Sequence, residues 1–466
     1  MRNKKILIVL KYASFYSYCE SIIKELEKEN DLILCIQEEN QINFTKYYID
    51  HSSMSLIQKN VNNNDSFNLV DKSRNIKIIK GVHRNDNWIR ILSILRESLN
   101  YLSFLIRGED NTFKRLQSKY LSKKIVKIIR IIRYKPLLNI LFFFLKFIHI
   151  LVPSDKGINN FIKNIDPDIV LIVGANWPTR NNQFSSEIDF VKSSKKLKKY
   201  SILHVISWDN LIARGLYHYK PNLFFVWNKD HFDEAIKIHK MPKKIIKIIG
   251  APFMDKWFDE IKINSKKEFF NLIGLDSNKP LVTYLGSSAN ISKDEKIIVE
   301  KLYEKFNKND IQLIVRPHGA NTDQFESINK KIKLIPEKGE LPDTDLSKKL
   351  MVETIKHSNF TIGINTTAMI DSIILGTPCI SIVKKEFKYN QIDTPHFNKV
   401  QKEGIFIEAK NVKEIINKIV EFNKNKNLLE NMNKFVIKFC RPFGTDISAG
   451  KKAVMEIEKL IKKNSF

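Results

Sequence analysis

Short, uninterrupted runs of Val, Ile and Leu are the feature that most restricts the fold of this chain. Clear examples are Ile6–Leu10 and Ile169–Val173, and Leu281–Leu285 departs from the pattern at Thr283 and Tyr284. A strand that is apolar at every position is buried on both faces, as in a parallel sheet covered by helices. Segments with helical periodicity separate these runs. The pattern therefore predicts an α/β fold with doubly wound, Rossmann-like sheets.

The apolar runs fall into two groups, separated by the polar, Lys-rich stretch 259–278. With 466 residues, 43% of them hydrophobic, the chain is long enough for two globular domains and too apolar for a disordered protein. We therefore predict an N-terminal domain over 1–258. A second domain, with helices at its C-terminal end, is predicted over 259–466, and the two would face a cleft.

Polar motifs follow several of the predicted strands, where doubly wound sheets bind their ligands. Gly286-Ser287-Ser288 offers backbone N–H groups and hydroxyls to a phosphate, although a plain turn explains it equally well. Arg316 and His318 follow the next strand. Both are candidates to contact a diphosphate, and His318 is also a candidate to protonate a leaving phosphate. The alternative is structural, with Arg316 as a capping residue and His318 as a buried, hydrogen-bonded side chain.

The segment Gly363–Pro378 carries the most specific signal. Asn365, Thr366 and Thr367 follow a strand and open a helix, where N–H groups and hydroxyls together form an anion site. Asp371 lies one turn further on and is predicted to accept hydrogen bonds from ribose hydroxyls. A purely structural helix start is the alternative.

In the first half, Ser207-Trp208-Asp209-Asn210-Leu211 follows a predicted strand. Asp209 is a candidate base that deprotonates an acceptor hydroxyl. It is equally a candidate to fix the loop by accepting backbone hydrogen bonds, and both readings stay open.

These residues resemble known families. Residues 281–383 resemble the nucleotide-sugar-binding half of GT-B glycosyltransferases, and Gly250–Asp255 resembles the linker of these enzymes and of UDP-N-acetylglucosamine 2-epimerases. Arg316-Pro-His318 with the Thr-Thr helix start is similar to the His-Pro and Ser/Thr motifs of CMP-Kdo transferases, bacterial sialyltransferases and CDP-alditol phosphotransferases. Here Gly319 stands where those motifs have Pro. The resemblance implies that His318 and the hydroxyls hold donor phosphates.

A second resemblance covers about residues 165–460. The Ser207–Leu211 segment, Val226-Trp227-Asn228 and the stretch from Gly250 to Phe258 resemble bacterial GT-B-like proteins of surface-polysaccharide loci. The matching His-Phe and Arg-Pro pairs begin at His396 and Arg441. The resemblance implies a base or donor contact for His396 and a phosphate clamp for Arg441.

The formal net charge of +27 is concentrated in one stretch. Residues 111–154 contain ten Lys/Arg and no Asp or Glu, and Lys123–Arg133 repeats a basic residue about every three positions. The apolar run 136–152 that follows is short for a spanning helix and contains Lys146. We expect it to lie on an anionic membrane surface; a buried helix with a solvated basic face is the alternative. Since no nucleic-acid-binding signature accompanies the charge, we expect no nucleic-acid partner.

The four Cys are far apart in sequence and are expected to be buried, reduced thiols. Asp343-Thr-Asp345 mimics a metal-binding pair, but we expect neither a metal nor a cofactor. The N-terminal apolar run is too short for a signal peptide, which predicts a cytoplasmic protein peripheral to the inner face of the plasma membrane.

Together these observations predict a metal-independent GT-B glycosyltransferase. It would move a sugar from a nucleotide-activated donor to a lipid-linked or growing surface glycan. The alternatives are a CDP-alditol phosphotransferase, a sugar-nucleotide 2-epimerase and a non-catalytic assembly protein.

Overall fold

The computed structural model describes residues 2–37, 67–68, 76–108, 129, 132, 134–176, 185–319, 321–339, 342, 344–422 and 426–463. These residues form two compact units. The first unit contains the described residues up to Phe253 together with those from Arg441 onward. The second contains Met254–Cys440.

The first unit is built on an eight-stranded sheet with the order β3-β4-β2-β1-β5-β6-β7-β8. Its strands are β1 (Lys5–Leu10), β2 (Asp31–Ile36), β3 (Phe67–Asn68), β4 (Ile76–Lys80), β5 (Ile169–Val173), β6 (Tyr200–His204), β7 (Leu223–Val226) and β8 (Ile246–Ile248). All neighbouring strands are parallel except β3 and β4. The central strand β1 is fully buried from Ile6 onward, which explains its unbroken apolar sequence.

Helices cover this sheet. They are α1 (Glu20–Leu26), α2 (Ile89–Arg107), α3 (Lys135–Leu151), α4 (Lys156–Ile165), α5 (Asp189–Lys196), α6 (Asn210–Ala213) and α7 (Lys229–Lys237). Side-chain caps fix two of the helix starts. Asp155 accepts from the N–H of Ile158 at 2.7 Å to begin α4, and Asn228 accepts from that of His231 to begin α7.

The second unit has a six-stranded, all-parallel sheet with the order β11-β10-β9-β12-β13-β14. Its strands are β9 (Leu281–Leu285), β10 (Gln312–Arg316), β11 (Lys333–Leu334), β12 (Phe360–Gly363), β13 (Cys379–Ile382) and β14 (Phe406–Ala409). Its helices are α8 (Lys266–Leu272), α9 (Lys296–Asn307), α10 (Asp345–Lys356), α11 (Thr367–Ile374), α12 (Pro395–Lys402), α13 (Val412–Val420) and α14 (Lys426–Phe439). The predicted doubly wound α/β fold is thus confirmed for both units.

The last helix, α15 (Ala449–Lys463), packs in the first unit, against α1. We predicted all residues from 259 to the C-terminus in the second domain, and the structure differs from this for Arg441 onward. The contact is tight, because a Cβ at Gly450 would lie 2.2 Å from the carbonyl oxygen of Ser21. The amphipathic pattern of α15 shows that one face is buried, but not which sheet it covers.

All four Cys are buried, as predicted, and none of them forms a disulfide. Burial raises the pKa of the Cys35 and Cys379 thiols to about 12. Most of the basic stretch Lys123–Arg133 lies outside the described residues. Within the part of the chain that the structure describes, no single helix is long and apolar enough to cross a bilayer. By length and composition alone, α3 and α4 taken together are long and apolar enough to cross a bilayer. The two helices are bent by 56° relative to each other.

Candidate functional site

The predicted donor-binding motifs meet at one edge of the second sheet. The strands β10, β9 and β12 are adjacent, and the strand order reverses between β9 and β12. Gly286 follows β9, Arg316 ends β10 and Asn365 lies two residues after β12. A reversal of strand order opens a crevice at the carboxyl ends of doubly wound sheets, which is where their ligands bind. The sequence motifs therefore converge on the topological switch point of this unit.

Gly286 is required by close packing between two strand ends. Its N–H donates to the carbonyl oxygen of Arg316 at 2.9 Å. A Cβ at this position would lie 3.0 Å from the backbone nitrogen of His318 and 3.2 Å from the oxygen of Arg316. Because both are backbone atoms, a side chain would push the β9 and β10 loops apart.

The Ser287 N–H is already bonded within the protein. It donates to both carboxylate oxygens of Glu295, at 3.1 and 3.2 Å, and Asn321 donates to the carbonyl oxygen of Ser287 at 2.9 Å. We predicted that this N–H would bind phosphate, and in this structure Glu295 takes it instead. Ser288 is half-buried at the same turn.

Sequence reasoning missed Glu295. It lies eight residues after Ser287, and its side chain is fully buried. Burial raises the pKa of this carboxyl to about 7, partly opposed by its hydrogen bonds from Tyr284 and Ser287. Only the fold shows that Glu295 turns back to the Gly286–Ser287 loop, because a Glu just before a helix is ordinary in sequence.

Arg316 is buried at the end of β10, and His318 is half-buried two residues later. Burial lowers the pKa of the His318 imidazole to about 4. At neutral pH the ring is therefore uncharged. A phosphate placed beside it would favour the protonated form, so His318 can respond to ligand charge.

Thr366 and Thr367 begin α11 as predicted, and both are half-buried. Thr366 is the N-cap residue in an extended conformation, but its hydroxyl does not cap the helix. The hydroxyl and the first N–H groups of this eight-residue helix are thus placed where an anion is bound favourably. These two residues keep their predicted place at the edge of the crevice.

Asn365 has a structural contact. It is buried, and its side-chain amide donates to the carbonyl oxygen of Asn390 at 2.6 Å. Asn390 in turn donates to the carbonyl oxygen of Ile291 at 3.0 Å. We predicted a donor contact for Asn365, whereas the structure shows it connecting the β12 end to two neighbouring loops.

Asp371 is buried against an unexpected partner. Only 4% of it is exposed, and its Oδ1 accepts from Nε1 of Trp257 at 2.8 Å. Burial raises its pKa to about 6, opposed by nearby Lys256 and Arg316. We expected this side chain to face the crevice openly. Ribose recognition by Asp371 stays a prediction, and it now requires the second oxygen, Oδ2.

His396 and Arg441 fall in different units. His396 is buried in the first turn of α12 in the second unit. Arg441 belongs to the first unit, where it is buried and donates to the carbonyl oxygen of Thr445 at 2.8 Å. Their proposed contacts with a donor remain predictions.

Asp209 lies in the first unit, just past β6. Its Oδ1 accepts from the Ser207 hydroxyl at 2.6 Å, and its Oδ2 lies 3.9 Å from Nε of Arg214. The loop itself is fixed by the next residue, because Oδ1 of Asn210 accepts from the N–H groups of Ile206 and Ser207 at 3.1 and 2.9 Å. Asn210 therefore holds the loop in place. The role of Asp209 as a base stays a prediction.

Within the described ranges, no group of three or more His, Cys, Asp or Glu could hold a metal ion. Asp343, half of the pair that mimics a metal site, lies outside those ranges. Asp345 opens α10 behind a Thr344 cap.

Comparisons with known proteins agree on the fold. No protein-family description matches the sequence, and no curated protein matches it. Among solved structures, a UDP-N-acetylglucosamine 2-epimerase from Listeria monocytogenes is similar over 99% of this chain and 98% of its own, with a TM-score of 0.54 and 11% identity. The enzyme of the same name from Methanocaldococcus jannaschii has a TM-score of 0.53 and 14% identity, over 98% of this chain and 99% of its own.

A third similar structure is the UDP-GlcNAc 2-epimerase from Neisseria meningitidis bound to UDP-GlcNAc. Its TM-score is 0.51 at 12% identity, over 98% of this chain and 100% of its own. These epimerases have a GT-B-like fold, and the two Rossmann-like units of this chain match it. At this level of identity the likeness establishes the fold.

Proposed function

We propose that this protein is a sugar-nucleotide-processing enzyme that holds the diphosphate of its substrate at the carboxyl ends of β9, β10 and β12. The observation that carries the proposal is the meeting of Gly286, His318 and the Thr366–Thr367 helix start at one topological switch point. Hydroxyls, helix-start N–H groups and an imidazole are the donors that phosphate oxygens accept.

The reaction best supported is 2-epimerisation of a UDP-N-acetylhexosamine. The similar structures named above are described as UDP-N-acetylglucosamine 2-epimerases, and one of them is bound to UDP-GlcNAc. We considered this reaction an alternative on sequence grounds, and the comparisons favour it over the glycosyltransferase that we predicted first. It requires no acceptor.

Glycosyl transfer is the second candidate, on a specific observation. The half-buried Asp209 follows β6 and is oriented by the hydroxyl of Ser207 at 2.6 Å. A carboxylate held in this way can act as the base that deprotonates an acceptor hydroxyl.

One incubation separates the two reactions. The protein is mixed with UDP-GlcNAc alone in deuterated water and followed by proton NMR. An epimerase removes and returns the C2 proton, so a second configuration at C2 and deuterium at that carbon are expected. A glycosyltransferase would leave UDP-GlcNAc unchanged without an acceptor.

Binding tests the site itself. In the double variant Thr366→Ala/Thr367→Ala, loss of hydroxyl bonds to charged phosphate oxygens should weaken UDP and UDP-GlcNAc binding by roughly 10- to 150-fold. The thermal midpoint should stay close to that of the wild type, since Thr366 makes no side-chain cap. Calorimetric titration and a melting curve measure the two effects.

Thr344→Ala is the matched control. Thr344 also precedes a helix, but its hydroxyl accepts from the N–H of Ser347 in a capping box. Its loss should lower stability by about 0.5–2 kcal/mol and leave nucleotide affinity unchanged. Equal affinities of the double variant and the wild type would overturn the assignment of the α11 start as the phosphate site.

A further inference from the structure

The exposed side of α3 is apolar, whereas the exposed side of a surface helix is usually polar. From Ile140 to Leu151, every exposed side chain is a Phe, Ile or Leu, and each is between 53% and 65% exposed. They are Ile140, Phe143, Phe144, Phe147, Ile150 and Leu151. A helix that faces water normally exposes charged side chains instead. We call these six side chains the outer face.

The polar residues of the same turns point the other way. His149 is fully buried, and its Nε2 accepts from Nε of Arg96 at 3.2 Å. Lys146 is half-buried, with its ammonium 5.8 Å from the ring centre of Phe142, which is itself buried. These turns of the helix therefore direct Lys146 and His149 inward, and their exposed side chains are all apolar.

Packing fixes this orientation. Leu138 and Phe142 pack with Leu99 and Leu102 of α2 in one apolar cluster. At the other end, Lys192 donates to the carbonyl oxygens of Ile150 and Val152, which satisfies backbone acceptors at the helix terminus. Rotation of α3 to bury the outer face would break both sets of contacts.

The start of α2 extends the apolar surface. Leu92 and Leu95 pack against Val152, so this end of α2 lies beside the end of α3. The nearby Ile91 and Ile94 are 45% and 56% exposed. A surface of this extent on described residues marks a site that something else covers.

Charge indicates what covers it. The chain carries a net charge of +27, and residues 111–154 contain ten Lys/Arg without a single Asp or Glu. Exposed cations flank the face within the described residues, with Lys135 at the start of α3 and Arg90 beside Ile91. Two copies with this charge repel each other, whereas anionic lipid headgroups attract it.

The neighbouring helix α4 does not share the outer face. Its apolar side chains Ile158 and Ile162 are fully buried in the core of the first sheet. Of these two helices it is α3, 17 residues or about 25 Å long, that presents an apolar face, and that length suits a helix lying in the plane of a bilayer surface.

We propose that the outer face of α3, extended by the start of α2, docks on an anionic lipid bilayer, with its Phe, Ile and Leu side chains in the acyl boundary and the flanking cations at the headgroups. This docking is independent of which sugar nucleotide the protein processes.

The test is co-sedimentation of the full-length chain with vesicles. Phosphatidylcholine vesicles containing phosphatidylglycerol should pellet the protein at low salt, and pure phosphatidylcholine vesicles should pellet much less. The variant Phe143→Ser/Phe144→Ser/Phe147→Ser should reduce partitioning at least about tenfold. Because these rings are exposed, circular dichroism and the melting curve should match the wild type.

A matched variant separates this face from general surface hydrophobicity. Leu272→Ser/Leu346→Ser/Val420→Ser removes three side chains of the second unit that are at least as exposed, from three different helices. It should partition like the wild type. Failure of the wild type to bind anionic vesicles, or equal binding by the two triple variants, would overturn the proposal. So would sedimentation velocity that shows a dimer dissolved by the Phe variant.

Discussion

Both sheets bury carboxylates beyond the ends of their strands, but these carboxylates have opposite kinds of partner. In the first unit, Asp189 is fully buried and accepts from the guanidinium groups of Arg84 and Arg96 at 2.9–3.1 Å. In the second unit, Glu295 accepts from a backbone N–H and Asp371 from an indole N–H. Asp189 is thus paired with cations, whereas Glu295 and Asp371 accept from neutral donors.

The difference supports the proposal that the second unit receives an anion. Neutral donors offset only part of the free energy that a carboxylate loses when it is buried. Burial therefore raises the pKa of Glu295 to about 7 and that of Asp371 to about 6. Near neutral pH part of this negative charge is neutralised by protons. The surroundings of the Thr366 helix start are thus less negative than the sequence suggests, which favours a diphosphate there. The charge pairs of the first unit are closed among themselves and serve stability.

The largest effect is expected from breaking the charge pairs of the first unit. Asp189→Ala removes the buried carboxylate that Arg84 and Arg96 share, and Arg84 then retains the carboxylate of Asp86, at 2.7 Å. This change should cost about 3–5 kcal/mol of unfolding free energy. Asp166→Asn is the control, because Asn tolerates the left-handed backbone of this helix end. Its carboxylate pairs with Lys199 at 2.6 Å but is 73% exposed, so its loss should cost far less than that of Asp189. Urea unfolding compares the two, and equal costs would contradict the distinction.

The second prediction concerns pH and Glu295. The pKa of this carboxyl is raised in the folded state, from 4.5 to about 7, so the folded state binds the additional proton. Its stabilising contribution is present at low pH and is lost as the pH rises through 7, with a slope of at most about 1.4 kcal/mol per pH unit. Glu295→Gln removes the titration.

Urea unfolding from pH 5 to 8 measures this slope in both proteins. The wild type should lose more stability than Glu295→Gln as the pH rises. If stability falls equally with pH in both proteins, Glu295 is charged in the folded state over this range. The contrast between Asp189 and the carboxylates of the second unit would then not hold for Glu295.

The smallest effect is expected at His318. Burial holds its pKa at about 4 in the free protein, and a bound diphosphate should raise it. Binding of UDP-GlcNAc, whose diphosphate does not titrate in this range, should then take up protons at pH 5–6 and tighten by up to about tenfold relative to pH 8. Calorimetry in buffers of different ionisation enthalpy measures the proton uptake. His318→Gln should reduce it, and an unchanged uptake would mean that another group responds to the ligand.

The sequence predicts the strands and their class well, because an apolar residue at every position of β5, and of β1 from Ile6 onward, is typical of a strand buried on both faces. It also predicts which loops meet, since the carboxyl ends of parallel strands share one edge. It does not predict hydrogen bonds within those loops. Asn365 bonds to Asn390, 25 residues away, and Trp257 to Asp371, 114 residues away, and neither spacing leaves a periodic signal.

The burial of a single polar residue is equally hard to predict from the sequence. Asp371 lies one turn after Thr367, and helical periodicity alone puts both on one face. The indole of Trp257 changes this, because it covers the carboxylate from outside the helix. The apolar character of residues 136–152 is visible in their composition, but the inward direction of Lys146 and His149 follows only from the packing with α2.

The return of α15 to the first unit has a consequence for synthesis on the ribosome. All eight strands of the first sheet emerge before residue 253, yet the helix that packs on α1 emerges only after residue 448. The stretch Met254–Cys440 of the second unit is therefore synthesised before the first unit receives α15. A premature stop or a protease cut near residue 440 would therefore injure the N-terminal half of the molecule and spare the C-terminal half.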